Sequence, residues 1–167
     1  HRFNREVLQR VRSIPGVQAA AIAAAHPLDA GFTNSFTGVG REAEARDWPE
    51  ITVRLVTPGY LETMRGALRR GRPLGDGDDP RAPLVAVINE SAARRYFEGR
   101  DPLGQEIRFW GTARRIVGVV GDEHVRGPAE VAPAAVYVSL GQAPAFSGAL
   151  LVRSTQDLAD LAPLVQQ

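Results

Sequence analysis

Between Val56 and Leu140 the chain alternates short β-branched runs with capped helical segments and Gly/Pro corners, and this order limits the folds available to it. The stretch reads VTPGYLETMRGALRRGR, an acidic turn GDGDDPRAP, LVAVINESAARRYFEGRDPLGQEIRFW, RRIVGVVGDEHVRG and AAVYVSL. Leu84 to Ile88 is a β-branched run and predicts a strand. It leads into Asn89, a good N-cap for a helix in which Ala92/Tyr96 and Ala93/Phe97 stack at i, i+4. Gly99 to Gly104 predicts a turn. Gln105 to Trp110 and Arg115 to Val120 then read as a hairpin pair around Gly111-Thr112, and Val136 to Leu140 as a further strand.

Upstream, Phe3, Val7, Leu8, Val11 and Ile14 recur at helical spacing until Pro15-Gly16. Val17 to Ala25 has the length and flanks of a buried strand. Asp29 to Asn34 reads as a turn, Phe36 to Val39 as a short strand and Arg41 to Glu50 as a loop. Ile51, Val53 and Leu55 alternate with Thr52, Arg54 and Val56, a strand with one buried face. Thr57-Pro58 suits a helix start, with Thr as cap and Pro in the first turn, where its missing N–H costs nothing. Tyr60, Leu61 and Met64 share one side of that helix, and Gly66 ends it. Ala149 to Arg153 is a strand, and Leu158, Leu161, Leu164 and Val165 mark a last amphipathic helix bent or frayed by Pro163.

Composition removes several function classes. A length of 167 residues suits one domain or two small lobes sharing a core, and the apolar (44%) and charged (23%) fractions are those of a globular protein. A net charge of +1 argues against a nucleic-acid partner, which would need a concentrated basic face. Without Cys there are no disulfides, thiolate metal sites or Cys nucleophiles. The longest nearly unbroken apolar run, Val17 to Ala25, is far short of the ~20 residues of a spanning helix. The chain opens at His1 without an initiator Met, which reads as a piece of something longer.

Candidate chemistry is thin. An EF-hand loop starting at Asp76, with Asp78 and Asp79, would need Glu where Val87 stands, so an acidic surface turn is the better account. Gly38-Val39-Gly40-Arg41-Glu42-Ala43 matches the loose dinucleotide pattern, but Trp48-Pro49 breaks the helix that should follow. His26 and His124 lack a companion at ligand spacing. No Ser occupies a G-x-S-x-G elbow, Ser91 belongs to a helix first turn, and Asn89-Glu90-Ser91 reads as a cap rather than a glycosylation site. Arg65, Arg69, Arg70 and Arg72 form the one basic cluster: a solvated face, or a contact for anionic lipid headgroups or an acidic partner.

In this order the segments resemble the MacB-like periplasmic core domain of FtsX-type ABC transporter permeases. Those proteins usually carry TPGYFETLG, LLRGR, VAVINEALARRYFPGEDPIGKRI, IVGVVGDVRHRG and VYVP. The resemblance implies an α+β fold of two lobes. A porter-like αβ lobe would span 1–70 plus 144–167, and an inserted, mostly β lobe with one or two helices would span 71–143. It implies an extracytoplasmic domain of an inner-membrane permease, set between the first and second transmembrane helices, with Arg5–Ile14 continuing one and Leu158–Val165 leading to the other. The domain would have no catalytic residues, no metal and no cofactor of its own. ATP hydrolysis would fall to an ABC ATPase domain or subunit, with a second permease copy and a periplasmic adaptor as further partners. Thr57, Pro58, Gly59 and Tyr60 would then set the strand-to-helix corner. Asn89, Tyr96 and Phe97 would hold the second helix, and Gly118 and Gly121 would allow close backbone approach. The alternative is a binding module taking a small ligand, peptide or lipoprotein between its lobes.

Overall fold

A computed structural model of the protein describes residues 2–29, 31–123, 131–143, 148–157 and 161–163. In chain order they form α1 (Arg2–Arg12), β1 (Val17–Ala23), β2 (Phe32–Asn34), β3 (Thr37–Gly38), a 3-10 turn (Glu44–Asp47), β4 (Ile51–Val56), α2 (Tyr60–Met64) and β5 (Leu68–Gly71). Then come β6 (Val85–Asn89), α3 (Glu90–Tyr96), β7 (Glu106–Phe109), β8 (Thr112–Val120), β9 (Ala135–Ser139) and β10 (Ala149–Ser154). Residues 161–163 are helical, with Leu161 buried; the rest of the anticipated last helix lies outside the described residues. The fold is α+β: an extensive sheet with few, short helices.

The described strands join one hydrogen-bonded sheet in the order β10-β1-β4-β9-β6-β8-β7-β3, with β2 also on β4 and β5 also on β8. β4 with β9 and β6 with β8 are parallel pairs, and the remaining pairs are antiparallel. β9 therefore lies between β4 and β6, so the ladder is continuous from the N-terminal strands into the middle of the chain. One apolar layer gathers Ile51, Leu55, Ile88, Tyr96, Ile107 and Val136. The other holds Val56, Tyr60, Leu74, Val87, Val120 and Tyr137. α1 packs through Leu8 and Val11 onto Ala20, while Phe3, which the helical spacing places on the same stripe, is 72% exposed.

Several elements differ from the pattern-based expectation. All six residues of β4 are buried, not one face of it, because the sheet has apolar layers on both sides here. Phe32–Asn34 is a strand rather than a turn, held in register against Ile51–Val53. Leu68–Gly71 is an edge strand on the far half of β8. Its side chains are all exposed, so it carries no alternation to read, and its arginines suit an unpaired edge. The hairpin turns at Trp110-Gly111, one residue earlier than anticipated: both have positive φ (52° and 74°), and Phe109 faces Thr112. Two such residues make the tight turn whose twist matches antiparallel strands.

The β5–β8 contact is unusually close. A Cβ on Gly118 would stand 2.1 Å from the Arg72 carbonyl oxygen, and one on Gly71 2.2 Å from that of Val117. Backbone blocks both positions, so only glycine fits. Gly121 is different: a methyl there would meet its neighbours at 3.6 Å or more, so the close approach belongs to Gly71 and Gly118 and not to Gly121.

Candidate functional site

The corner after β4 ties three elements together. Gly59, at φ 88°, turns the chain into α2. Thr57, two residues before it, is not the helix cap: its Oγ1 accepts from Ile22 N–H at 2.8 Å, and its own N–H donates to Ile22 O at 2.9 Å. The hydroxyl satisfies a donor of β1, which leaves β4 at this point. α2 closes at Arg65 (φ 55°), with Gly66 N–H donating back to Leu61 O, so the left-handed position is Arg65 rather than Gly66. Tyr60, Leu61 and Met64 face the second apolar layer.

Arg12, on the last turn of α1, reaches this corner. Its Nη2 donates to Ala20 O at 2.7 Å and to Pro58 O at 3.1 Å. One guanidinium thus joins α1, β1 and the β4–α2 corner, with Gly59 leaving it room. In the sequence Arg12 is one of several arginines on a solvated helix face, and nothing in the spacing distinguishes it.

Asn89 is a buried hub, 1% exposed. Its Oδ1 accepts from Ala92 N–H and from Ala135 N–H, both at 2.9 Å, and its Nδ2 donates to Pro133 O at 2.8 Å. One side chain caps α3 and fixes the start of β9. Tyr96 packs edge-on against Phe36 (ring centroids 4.8 Å) and beside Trp48 (5.3 Å), and its hydroxyl donates to Pro49 O at 3.1 Å. Phe97 is buried next to it, with the Arg41 guanidinium over its ring. Ser91 is bound to a carboxylate: Asp122 accepts from its N–H at 2.8 Å and its hydroxyl at 2.9 Å, tying the end of β8 to α3.

The four arginines do not form a single open basic face. Arg69 pairs with Glu90 (3.2 Å), Arg70 with Asp101 (2.6 Å) and Arg72 with Asp78 (2.8 Å). Asp78 also accepts from Gly75 N–H, and Asp79 accepts from Arg81 N–H and Ala82 N–H, so these acids build the turn. His26 is exposed, its Nδ1 accepting from Leu28 N–H; His124 lies outside the described residues. Among the described residues no three ligating side chains meet at a point.

Burial pushes the Asp78 carboxyl up, but the Arg72 guanidinium and Gly75 N–H outweigh it and hold it below the usual carboxylate value. Asp122 is held low in the same way, burial being outweighed by Ser91 and Arg94. With folded values depressed, both add stability that is present above the ordinary carboxylate pKa and lost as pH falls through the folded values. The double variant Asp78→Asn, Asp122→Asn should therefore show a shallower fall of melting temperature than the parent below about pH 4. Parallel profiles would contradict the assignment.

A cluster that the sequence hides lies under α2. Arg54 on β4 (4% exposed), Tyr60 on α2 (2%), Tyr137 on β9 (2%) and Glu123, just past β8, turn their polar ends together. Arg54 Nε stands 3.9 Å from Glu123 Oε2, and Arg54 Nη2 donates to Pro27 O at 3.3 Å. Burial raises the Glu123 carboxyl above its usual range against the pull of Tyr60, Arg54 and Tyr137. Burial and the Glu123 charge together raise both phenols. Period-two alternation assigns Arg54 to solvent, and only the double burial of β4 brings it inside. Glu123 lines a cavity of about 480 Å³ with Leu28, Met64 and Arg65. Tyr60 and Tyr137 line one of about 190 Å³ with Val56, Leu74 and Val87.

Residues 2–167 match the family model described as the MacB-like periplasmic core domain. Among curated proteins, the chain is 26% identical over 103 residues to the macrolide export ATP-binding/permease protein MacB of Syntrophobacter fumaroxidans, matching 62% of this chain and 14% of that protein. It is 32% identical over 68 residues to MacB of Aggregatibacter actinomycetemcomitans, matching 41% of this chain and 11% of that one. These matches span only a small part of the relatives' length. Among solved structures, the periplasmic region of MacB from Actinobacillus actinomycetemcomitans superposes with a TM-score of 0.70 at 16% identity, over 98% of this chain and 72% of that one. The extracellular domain of the ABC-type transporter YknZ gives 0.63 at 17% identity, over 97% and 78%. At these identities the structures speak for the fold.

Proposed function

Since the chain belongs to the MacB-like periplasmic core domain family, we propose that it is the extracytoplasmic part of an inner-membrane ABC transporter permease that carries ATP-driven motion to the movement of a substrate. The domain performs no chemistry. ATP is hydrolysed by an ABC ATPase domain or subunit, and membrane helices on either side of this domain pull on it. A second permease copy and a periplasmic adaptor are the further partners, and the exposed parts of Arg65, Arg69, Arg70 and Arg72 are offered for anionic contact. The division into a porter-like lobe (1–70 plus 144–167) and an inserted lobe (71–143) belongs to the same reading, with the β4–β9–β6 ladder as the shared seam.

The observation that carries the reading is the Arg12 tie. Any pull on α1 is delivered at once to β1 and to the β4–α2 corner, and from β4 through a continuous ladder into the rest of the sheet. Close-packed layers deform little, so such a body passes displacement on. Macrolides, named for the curated relatives, are the first substrate class to test.

The experiment is a flexible Gly-Ser insertion immediately before α1 in the full permease. Export should be lost while ATP hydrolysis persists. Unchanged export would count against transmission through α1. The second reading, a module that binds a small apolar ligand, is favoured by the cavity beneath Tyr60 and Tyr137, lined largely by Val56, Leu61, Leu74 and Val87.

A further inference from the structure

The short helix α2 receives a second arginine, from the other end of the chain. Arg153 on β10 donates from Nη2 to Thr63 O, in the last turn of α2. Carbonyls at a helix end run out of intrahelical donors, and an arginine side chain is a common substitute. Thr63 in turn closes the helix on itself: its N–H and its Oγ1 both donate to Gly59 O, at 2.9 and 2.8 Å. Gly59 adjoins Pro58, whose carbonyl accepts from Arg12 at 3.1 Å. A path of hydrogen bonds and covalent links therefore crosses α2 from one end to the other, from Arg12 through Pro58, Gly59 and Thr63 to Arg153.

The two arginines come to α2 from different elements. β1 and β10 form an antiparallel ribbon. Ile22, Leu150 and Val152 of that ribbon pack with Leu8 and Val11 of α1, whereas Ala21, Ala23 and Leu151 share a layer with Tyr60, Leu61 and Met64 of α2. Arg153 follows Leu151 by two residues, so the strand period turns it to the α2 side. α2 itself is five residues long, between left-handed Gly59 (φ 88°) and left-handed Arg65 (φ 55°). A single helical turn has no stability of its own, so what holds α2 decides where it sits. Its apolar side chains fix it from beneath, and one guanidinium holds each end.

We propose that α2 locks the two membrane-connected ends of the domain to each other, and that Arg153 is the positioning residue that does for β10 what Arg12 does for α1. The inference rests on the transport reading, in which α1 continues one membrane helix and β10 leads towards the next. Displacement that enters along α1 meets α2 at Pro58 O, and displacement that enters along β10 meets it at Thr63 O. With both ties in place the two ends move together and the sheet follows as one body. Without Arg153 the end of β10 is free to slide against α2 under load.

The test uses the full-length permease with spin labels at the exposed positions Glu62, on α2, and Gln156, just past β10, and a third label on a membrane helix. In the parent, the Glu62–Gln156 distance should be the same without nucleotide and with ATP trapped, while both labels move against the membrane helix. In Arg153→Ala the Glu62–Gln156 distance should shift or broaden when ATP is trapped. Hydrogen exchange across residues 63–66 should also quicken about tenfold, the factor for one lost bond to a charged donor, with α3 unchanged. A general loss of fold would not spare α3. Arg153→Lys, which keeps a donor of similar reach, should stay near the parent. If Arg153→Ala does not fold, Arg153→Met keeps the apolar stem without the donor and is read in the same way. A variant lacking the donor whose Glu62–Gln156 distance stays as fixed as the parent's would overturn the role of Arg153 and leave the transport reading standing. A parent in which neither label moves against the membrane helix would contradict the transport reading itself, and the role of Arg153 with it.

Discussion

Replacing Asn89 with Ala should cost about 4 kcal/mol of folding stability, the sum expected when several buried hydrogen-bonding groups lose their partners at once. The side chain accepts from Ala92 N–H and Ala135 N–H and donates to Pro133 O. Ala would leave two amides and one carbonyl unpaired in a site where Asn89 is 1% exposed. For a chain of this size the loss corresponds to roughly 8–16 °C in melting temperature. Asn89→Ser keeps a capping oxygen for α3 and should recover about 1 kcal/mol of the loss. Denaturant titration of the three proteins checks this. A loss for Asn89→Ala below about 1 kcal/mol would mean that the cap alone matters and that the bonds to β9 contribute nothing.

Tyr96→Ala is the second large effect. It removes a ring 2% exposed from between Phe36 and Trp48 and strips Pro49 O of its donor. Deleting a buried aromatic of this kind costs about 3–4 kcal/mol, transfer and cavity terms together. Tyr96→Phe keeps the packing, loses only the hydroxyl, and should cost about 1 kcal/mol. The separation between the two variants is the informative quantity. If Ala and Phe cost the same, the hydroxyl rather than the ring holds α3 in place.

Both residues could be read before any coordinates. A cap acts on an amide three residues away, and Ala92/Tyr96 stacking follows from helical spacing, so the local sequence contains the information. The same holds for β1, β6, β9 and β10, whose apolar runs are bounded by clear breakers. Apart from one-residue shifts at the Trp110-Gly111 turn and at the end of α2, the failures share one cause: the deciding partner is distant in sequence. Thr57 resembles a cap but serves Ile22, 35 residues earlier. Arg54 resembles a solvent-facing strand residue and is buried, because β9 arrives on one side of β4 and apolar layers cover both faces. β5 has no hydrophobic alternation and is a strand through its pairing with β8. Arg12 and Glu123 carry no local mark at all. The architecture was therefore legible, and the joints that make it one body were not.

Those joints give the account its sharpest test. In the full-length permease, paired spin labels would be placed within this domain, at the exposed positions Val131 and Glu98, and between each of them and a membrane helix. Pulsed electron paramagnetic resonance would then be recorded without nucleotide and with ATP trapped. A body that carries motion keeps the Val131–Glu98 distance fixed while the distances to the membrane helix shift. If the internal distance changes with nucleotide, or if neither set moves, the domain is not the rigid transmitter proposed here.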